Sequence, residues 1–460
     1  MLEPLYTADE MRAAEERYPG SEEELMERAG RAVAEQAMRR WPDATRFVAI
    51  CGGGKNGGDG RIAAEILRAA GRDAAVGDEP RGDEPRGAEV VLDALFGTGF
   101  HGEPRPDAAR LIEAINDSGA GVLAVDIASG VNASTGEVSG VAVRADLSVT
   151  FQGRKVGHEV SPGRFHAGEV VVADIGLEPI ETRNARATRE ILSVVPRRSP
   201  EDNKYTAGHV VVVGGSPGMT GAPCLSALAA LRADAGYVAL AGPKSAIPVF
   251  EHWVLEAVKR PLPEDDEGLL TAAAAQDVLD LAGKGGALAI GPGLGRSEGA
   301  QELVRRVLAE AAVPAVVDGD ALHELEPADW PAPRVLTPHS GELARLLDVE
   351  SDWVDAHRLA ALERAIERFQ CIVLLKGAGT LVSEPGAGEI VCGGDPALAT
   401  AGTGDVLTGI VAAFLAKGVE PRLAAAAAAV AHTEAAREAP QEEGLIASDL
   451  LEALPRVLAA

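Results

Sequence analysis

The feature that most constrains the fold is a short apolar strand that runs directly into a glycine-rich loop. Residues 46–50 form the first such strand and meet the loop at 51–60, and helical periodicity resumes at Ile62, Ile66 and Leu67. A strand, a glycine-rich loop and a helix form the first unit of a doubly wound sheet, whose ligand binds at the carboxyl ends of the strands. The pattern therefore predicts an α/β fold with functional loops at one sheet edge.

The same unit recurs three times before residue 160. Strands at 90–93, 122–125 and 147–151 each lead into a loop of small or polar residues, and a strand at 169–174 closes the series. An aspartate at the end of a single strand ordinarily just forms the turn that follows. Several loops at one edge that carry Asn56, Asp93, Asp126 and Ser129 favour a binding site over turn chemistry.

A second α/β pattern begins at Gly208. Its strands end in glycine-rich or polar turns at 214–221, 291–295, 318–320, 337–342 and 376–380. Lys376 follows an apolar strand, where it could meet a nucleotide phosphate or protect a sheet edge from pairing. His339 stands between a proline and a serine, where it could contact a substrate or cap the turn.

The turn at 400–405, Thr-Ala-Gly-Thr-Gly-Asp, precedes an apolar run at 406–415 that reads as a buried helix. Two glycines beside a helix start leave N–H groups unpaired, and the helix dipole adds positive potential, so the turn can hold an anion. Asp405 would repel that anion, a cost that is explained if the carboxylate takes a proton from a hydroxyl group during phosphoryl transfer. The alternative is a helix start with a favourable first-turn charge.

Length and charge bound the remaining possibilities. A chain of 460 residues requires two or three domains, and we place the boundary in the polar, proline-containing segment 196–203. The net charge of −27 opposes binding to nucleic acid or to an anionic membrane. Four cysteines without a CxxC pair, no apolar leader and no membrane-length apolar run indicate a cytoplasmic protein. We expect a homo-oligomer, although no residue identifies an interface.

The motifs carry a family resemblance over nearly the whole chain. Residues 208–221, 291–295, 337–342 and 393–409 resemble the ADP-dependent NAD(P)H-hydrate dehydratases, which have a ribokinase-like fold. Residues 47–60, 90–102 and 122–176 resemble the NAD(P)H-hydrate epimerase domain that precedes it in bacterial fusions. The resemblance implies a Rossmann-like epimerase domain at 1–195, a linker at 196–203 and a three-layer α/β/α dehydratase domain at 204–460.

The resemblance also implies the chemistry. Such an enzyme interconverts the R and S hydrates of NADH and NADPH, and dehydrates the S form with ADP, which yields AMP and phosphate. Asp405 is the expected base for dehydration and Asp126 the expected acid/base for epimerisation. A potassium ion is implied at Asn56, Asp93 and Ser129, and a magnesium ion is implied with ADP.

The implied binding residues fall into two sets. In the epimerase domain they are Lys55, Asn56, Gly57, Gly58, Asp59, Gly97, Thr98, Gly99, Phe100, His101, Gly102, Glu103 and Asp126. In the dehydratase domain they are Ala222, Gly293, His339, Lys376, Gly377, Ala378, Gly379, Thr380, Asp395, Pro396, Ala397, Leu398, Ala399, Thr400, Ala401, Gly402, Thr403, Gly404 and Asp405.

The sequence departs from the family pattern at three places. Lys55 stands where a second asparagine is usual, and Ala128 stands where proline is usual. The Gly-Asp-Glu-Pro-Arg tandem at 77–86 replaces a longer strand–helix unit. Two other functions stay open. One is a small-molecule kinase, because ribokinase-like relatives use the same Gly-Thr-Gly-Asp turn to phosphorylate vitamin or sugar hydroxyls. The other is a dinucleotide-binding scaffold with an inactive N-terminal domain, which the altered loop would favour.

Overall fold

A computed structural model describes residues 1–77, 85, 87–204, 206–441 and 443–459. The chain divides into two compact units. One unit comprises Pro4–Ala185 and Asp355–Arg358, and the other comprises Met1–Glu3, Arg186–Val354 and Leu359–Ala460. The contact division thus precedes the predicted linker at 196–203. The tandem at 77–86 lies almost entirely outside the described residues. None of the described helices is long and apolar enough to cross a membrane.

The first part of the chain alternates strands and helices. Its elements are β1 (Leu2–Leu5), α1 (Ala8–Glu16), α2 (Glu22–Arg40), β2 (Arg46–Cys51), α3 (Lys55–Ala69), β3 (Asp73–Gly77), β4 (Val90–Ala94), α4 (Pro106–Asn116), β5 (Gly121–Val125), β6 (Leu147–Phe151), β7 (Glu169–Ala173) and β8 (Asn184–Ala187).

Six of these strands form a parallel sheet in the order β3-β2-β4-β5-β6-β7. One face packs on the apolar sides of α2 and α3, including Val33 and Leu67. The other face packs on α4 through Leu111, Ile112 and Ile115. The order of strands reverses between β2 and β4, and in such sheets the crevice at the reversal is the ligand site.

The second part has the same alternation. Its elements are β9 (His209–Val213), α5 (Gly221–Arg232), β10 (Tyr237–Pro243), α6 (Ile247–Trp253), β11 (Val258–Leu262), α7 (Ala275–Ala282), β12 (Ala287–Ile290), α8 (Glu298–Glu310), β13 (Ala315–Val317), β14 (Arg334–Leu336), α9 (Ser340–Leu347), α10 (Ser351–Ala356), α11 (Arg358–Phe369), β15 (Ile372–Leu375), β16 (Leu381–Ser383), β17 (Ile390–Val391), α12 (Thr403–Ala416), α13 (Pro421–Glu438) and α14 (Ala447–Ala459).

Within the large sheet, the strands of this second part follow the order β17-β16-β15-β14-β13-β12-β9-β10-β11, and β8 and then β1 continue the sheet beyond β17. Its strands from β15 to β11 are parallel, whereas β16 and β17 pair antiparallel. Every residue of β9 is buried, as expected for a strand covered on both faces. The strand order reverses between β9 and β12, so the loops after these strands form the corresponding crevice.

Close helix packing in the second unit depends on small residues. Helix α13 contains an unbroken alanine run at 424–429, and all six residues are buried. Gly409 of α12 approaches the carbonyl group of Ser226 in α5 so closely that a Cβ atom would lie 2.1 Å from that oxygen. This approach fixes the start of α12, and with it the turn at 400–405, against the helix layer.

Candidate active sites

In the first unit, the loops after β2 and β4 meet at the reversal of strand order. Gly52 donates a backbone hydrogen bond to Ala94 (3.0 Å), and the Nδ2 atom of Asn56 donates to the Phe96 carbonyl (2.8 Å). Gly57 is packed so tightly that a Cβ atom would lie 2.0 Å from the Gly52 oxygen. The glycines of this loop therefore permit a contact between backbones that a larger residue would prevent.

The three residues of the implied potassium site gather around Phe96. Ser129 donates its hydroxyl to Asp93 Oδ1 (2.6 Å) and its N–H to Asp93 Oδ2 (2.8 Å). The N–H of Phe96 donates to the Ser129 hydroxyl (2.9 Å), and the Phe96 carbonyl accepts from Asn56. Burial raises the pKa of Asp93 to about 6, although the Ser129 hydrogen bonds oppose that shift.

Asp126 lies after β5 in a left-handed conformation with φ of 65°. Its Oδ1 atom accepts hydrogen bonds from Lys155 Nζ (2.5 Å), the Thr150 hydroxyl (2.8 Å) and the Phe151 N–H (3.2 Å). Burial alone would raise the pKa of Asp126, but the charge and hydrogen bond of Lys155 outweigh it and hold the pKa below its usual value. Asp126 is therefore a fixed, ionised carboxylate.

The buried side chain of His158 connects the loop after β5 to the loop after β6 through two hydrogen bonds. Its Nδ1 atom accepts the N–H of Lys155 (3.0 Å), so Nε2 carries the proton that it donates to the Asp126 carbonyl (2.9 Å). Burial, followed by the charge of Lys155, lowers the pKa of His158 to about 3. The imidazole is neutral in the physiological range and acts as a hydrogen-bonding support.

The other residues implied for the epimerase site are spread over two loops. Gly57, Gly58 and Asp59 lie in the first turns of α3, whereas 97–103 form the loop between β4 and α4. In that loop the ring of Phe100 stacks on the ring of Phe96, with 4.6 Å between the ring centroids. Lys55, at the start of α3, forms ion pairs with Glu15 (3.1 Å) and Glu22 (3.3 Å).

In the second unit, Lys376 occupies the centre of a buried polar cluster. Its Nζ atom lies 2.8 Å from Asp318 Oδ1 and 3.7 Å from Glu342 Oε2. The hydroxyl groups of Thr337 and Thr408 also donate to Asp318, at 2.8 and 2.7 Å. Because β15 is flanked by β14 and β16, Lys376 does not follow an edge strand, and the edge-protection alternative is wrong.

The turn at 400–405 lies beside this cluster. Helix α12 begins at Thr403, three residues before the predicted apolar run, and Gly402 precedes it with φ of 90°. No side chain among the described residues caps this helix. The Lys376 ammonium is 3.4 Å from where a Cβ atom on Gly404 would be. The helix start therefore presents N–H groups and an ammonium group to one position, which suits an anion.

Asp405 lies in the first turn of α12. Burial, followed by the negative charge of Asp318, raises the pKa of Asp405 to about 7, while Lys376 opposes the shift. The carboxyl group can thus exchange a proton near neutral pH, which suits a general base. A hydrogen bond from Ser226 to the Asp405 carbonyl (2.8 Å) ties this turn to α5.

His339 is the N-cap of α9, and its Nδ1 atom accepts from the Gly341 N–H at 3.0 Å. The capping alternative is confirmed. The N–H of His339 donates to Glu342 Oε2 (2.9 Å), which connects it to the Lys376 cluster.

The remaining implied residues lie in the first turn of α5, where Ala222 stands, and on three loops. Gly293 has φ of 60°, and a Cβ atom there would lie 3.3 Å from Ala222 Cβ. Thr380 donates its N–H to the Gly393 carbonyl (2.8 Å), so the loop after β15 meets the segment that leads to Asp395. The segment 395–402 continues to the start of α12, and Thr403 bonds back to the Leu398 and Thr400 carbonyls.

Sequence reasoning missed the partners that determine the charge of each predicted acid. Lys155 stands in the loop after β6, and Asp318 follows β13 in the triplet Asp-Gly-Asp. Both loops were recognised as strand ends. No motif marked either residue, because each acts on a side chain from a different loop.

Comparison with known proteins shows that two family models match the two parts of the chain. A family model described as NAD(P)H-hydrate dehydratase matches residues 210–456, and one described as the N-terminus of YjeF-related proteins matches 22–84 and 73–157. The bifunctional NAD(P)H-hydrate repair enzyme Nnr of Moorella thermoacetica is 36% identical over 94% of this chain and 92% of its own. That of Escherichia coli is 33% identical over 95% of this chain and 88% of its own.

A solved structure matches the second unit. It is an ADP/ATP-dependent NAD(P)H-hydrate dehydratase from Bacillus subtilis co-crystallised with ATP and Mg²⁺, with 30% identity and a TM-score of 0.52. The match covers 59% of this chain and 96% of that one. Fold and sites thus define an α/β protein in which a Rossmann-like unit precedes a ribokinase-like unit. The chain belongs to the family of bifunctional NAD(P)H-hydrate repair enzymes.

Proposed function

We propose that this protein epimerises the R and S hydrates of NADH and NADPH and dehydrates the S form at the expense of ADP. The observation that carries the proposal is the position of Asp405, a base with a pKa of about 7 beside an uncapped helix start and Lys376. Family membership supplies the substrates.

The dehydration step follows from this arrangement. Asp405 accepts the proton of the C6 hydroxyl group of the hydrate. The hydroxyl oxygen attacks the β-phosphorus of ADP, and the bond between this phosphorus and the AMP oxygen breaks. The N–H groups of residues 401–404 and the Lys376 ammonium hold the transferring phosphoryl group. The lone pair of ring nitrogen N1 then expels phosphate, and loss of a C5 proton restores the dihydropyridine. A magnesium ion bound with ADP would neutralise part of the phosphate charge.

The epimerase unit fits a potassium ion. Asp93 is fully buried, and no described lysine, arginine or histidine forms an ion pair with it. Oxygen atoms of Asn56, Asp93 and Ser129 would hold a hard cation. The cation would supply the positive counter-charge that no side chain provides for the Asp93 carboxylate. Within the described residues there is no group of three His, Cys, Asp or Glu side chains for a metal. Asp126 would exchange the C6 hydroxyl proton during epimerisation.

We also assign the protein to the cytosol, because its four cysteines are buried and free, as reducing compartments favour. Homo-oligomerisation stays a prediction.

The direct test supplies hydrated NADH, ADP and Mg²⁺, and follows the near-ultraviolet absorbance of regenerated NADH. We expect recovery from both epimers, loss of all recovery in Asp405→Asn, and selective loss of recovery from the R hydrate in Asp126→Ala. Asp277→Asn, an exposed aspartate in the first turn of α7, is the matched control. Near wild-type recovery by Asp405→Asn would remove the assignment. Consumption of ATP with a vitamin or sugar alcohol, but not with the hydrate, would favour the kinase alternative.

A further inference from the structure

A cavity of about 250 Å³ lies beside α9, next to the polar cluster around Lys376. Its wall includes Glu342, whose Oε2 atom lies 3.7 Å from Lys376 Nζ. It also includes Gly319, between the two aspartates of the loop after β13, and Arg296, directly after the glycine-rich loop at 291–295. The cavity therefore adjoins the proposed dehydration centre and shares Glu342 with it.

Three arginine side chains line this cavity, and two of them are paired. Arg296 Nε lies 2.8 Å from Asp320 Oδ1. Arg368 Nη2 lies 3.5 Å from Glu326 Oε2. Arg345 is exposed, and within the described residues its side chain forms neither a hydrogen bond nor an ion pair. Its guanidinium group, with five N–H donors, is thus available to an anion.

Glutamates line the cavity as well, and cations offset two of them. Glu342 faces Lys376 at 3.7 Å. Glu326 faces Arg368 at 3.5 Å. The side chain of Glu324 is 72% exposed, so water and salt screen its charge. An anion in the cavity therefore meets little uncompensated negative charge.

Arg345 is placed one helical turn from the reacting centre. It follows Glu342 by three residues in α9, and side chains at this spacing share a helix face with Cβ atoms about 5–6 Å apart. Its charge also reaches His339, the N-cap of the same helix. Burial lowers the pKa of His339, and Glu342 opposes that shift, whereas the positive charges of two side chains add to it, those of Lys376 and Arg345. The guanidinium group therefore faces the side of α9 on which Lys376 lies.

A dinucleotide hydrate extends far beyond its reacting ring. When its C6 hydroxyl group lies at Asp405, its pyrophosphate and adenosine must occupy space away from that carboxylate, and NADPH hydrate carries a further phosphate on the adenosine ribose. The chain has a net charge of −27, so these phosphate groups need a local cation. In the proposed reaction the phosphates of ADP already occupy the start of α12 and Lys376, which leaves Arg345 for the hydrate.

We propose that Arg345 binds a phosphate group of the dinucleotide hydrate and that the cavity beside α9 receives this part of the substrate. The inference rests on the proposed dehydratase function and deepens it, because it names the cation that recognises the anionic part of the substrate. Both the pyrophosphate and the 2′-phosphate of NADPH hydrate present this chemistry, and the experiment distinguishes them.

The test compares Arg345→Ala with wild type in the full chain, with the S hydrates of NADPH and NADH, ADP and Mg²⁺. We expect the KM for the hydrate to rise about tenfold to 100-fold, the effect of losing one hydrogen bond between charged groups. The kcat should stay within about twofold, because Arg345 does not touch the reacting atoms. The KM for ADP should not change. Arg305→Ala, which removes an exposed arginine of α8 outside the cavity, should change none of these values.

Two further measurements separate direct binding from a structural effect. Arg345→Lys keeps the charge and should restore part of the affinity for the hydrate. Added choline chloride should raise the KM of wild type more than that of Arg345→Ala, because salt screens an exposed charge pair.

The two hydrates identify the phosphate group. A higher KM for NADPH hydrate alone assigns Arg345 to the 2′-phosphate, a higher KM for both hydrates assigns it to the pyrophosphate, and either result supports the proposal. An active wild type whose KM for both hydrates is unchanged in Arg345→Ala overturns this inference alone, and so does a change confined to the KM for ADP. A wild type that recovers neither NADH nor NADPH from the S hydrates overturns the proposed dehydratase function, and this inference with it.

Discussion

The pH dependence of dehydration is a direct consequence of the cluster around Asp405. A base with a pKa of about 7 is about one-tenth ionised at pH 6 and about nine-tenths ionised at pH 8. The kcat/KM for the S hydrate should therefore rise about tenfold across this interval. Initial rates of NADH recovery at saturating ADP and Mg²⁺, in buffers of constant ionic strength, measure it.

Replacing Asp318 by asparagine should displace this profile toward lower pH. The Asp318 charge is the largest influence after burial that keeps Asp405 protonated, and its loss also leaves the Lys376 ammonium without its closest carboxylate. Both changes favour ionised Asp405. A fall of one pH unit, worth about 1.4 kcal/mol, would reduce the rise between pH 6 and 8 to about twofold.

The variant also loses a buried ion pair, which costs about 3 kcal/mol of stability, so its melting temperature must fix the assay temperature. Asp277→Asn should retain the wild-type profile. A flat wild-type profile, or an Asp318→Asn profile with an unmoved midpoint in folded protein, would refute the reasoning.

Two further outcomes test the epimerase unit. Gly57→Ala should lower the melting temperature and abolish conversion of the R hydrate, because its Cβ atom would meet the Gly52 oxygen, whereas Gly53→Ala has open space and should change little in a thermal melt. Potassium chloride should raise the melting temperature relative to choline chloride. At a potassium concentration 100 times the dissociation constant, the bound ion would add about 2.7 kcal/mol to the free energy of unfolding. Asp93→Asn should remove that salt-specific effect, and an unchanged potassium effect would contradict the assigned site.

The sequence predicted most strands closely because buried parallel strands are continuous apolar runs bounded by glycine. The strand at 147–151 agrees with β6 residue for residue, and the turns predicted at 214–221 and 376–380 begin directly after β9 and β15. Polar contacts between neighbouring side chains were less predictable. Ser21 and Glu24 have the spacing of a capping box. In the structure only Ser21 caps α2, and the Glu24 carboxylate accepts from the Tyr18 hydroxyl instead.

The sequence also located the acids but not what controls them. Asp126 and Asp405 stood out because each follows a strand or begins a helix. Their protonation depends on Lys155 and on the Asp318–Lys376 pair, which come from other loops and meet only in the folded sheet. Spacing along the chain carries no information about such contacts, since strand order, rather than sequence order, sets which loops are neighbours.

Each unit contains a lysine–aspartate ion pair that affects the pKa of a second aspartate. A lysine pairs with one aspartate and keeps the pKa of that aspartate low, as Lys155 does for Asp126 and Lys376 does for Asp318. The negative charge of that paired aspartate then contributes to the raised pKa of a second one, Asp59 or Asp405. A lone buried aspartate would also have a raised pKa, but its value would depend on burial alone. The ion pair adds a fixed charge of known position, so one acid stays ionised while the other exchanges protons near neutral pH.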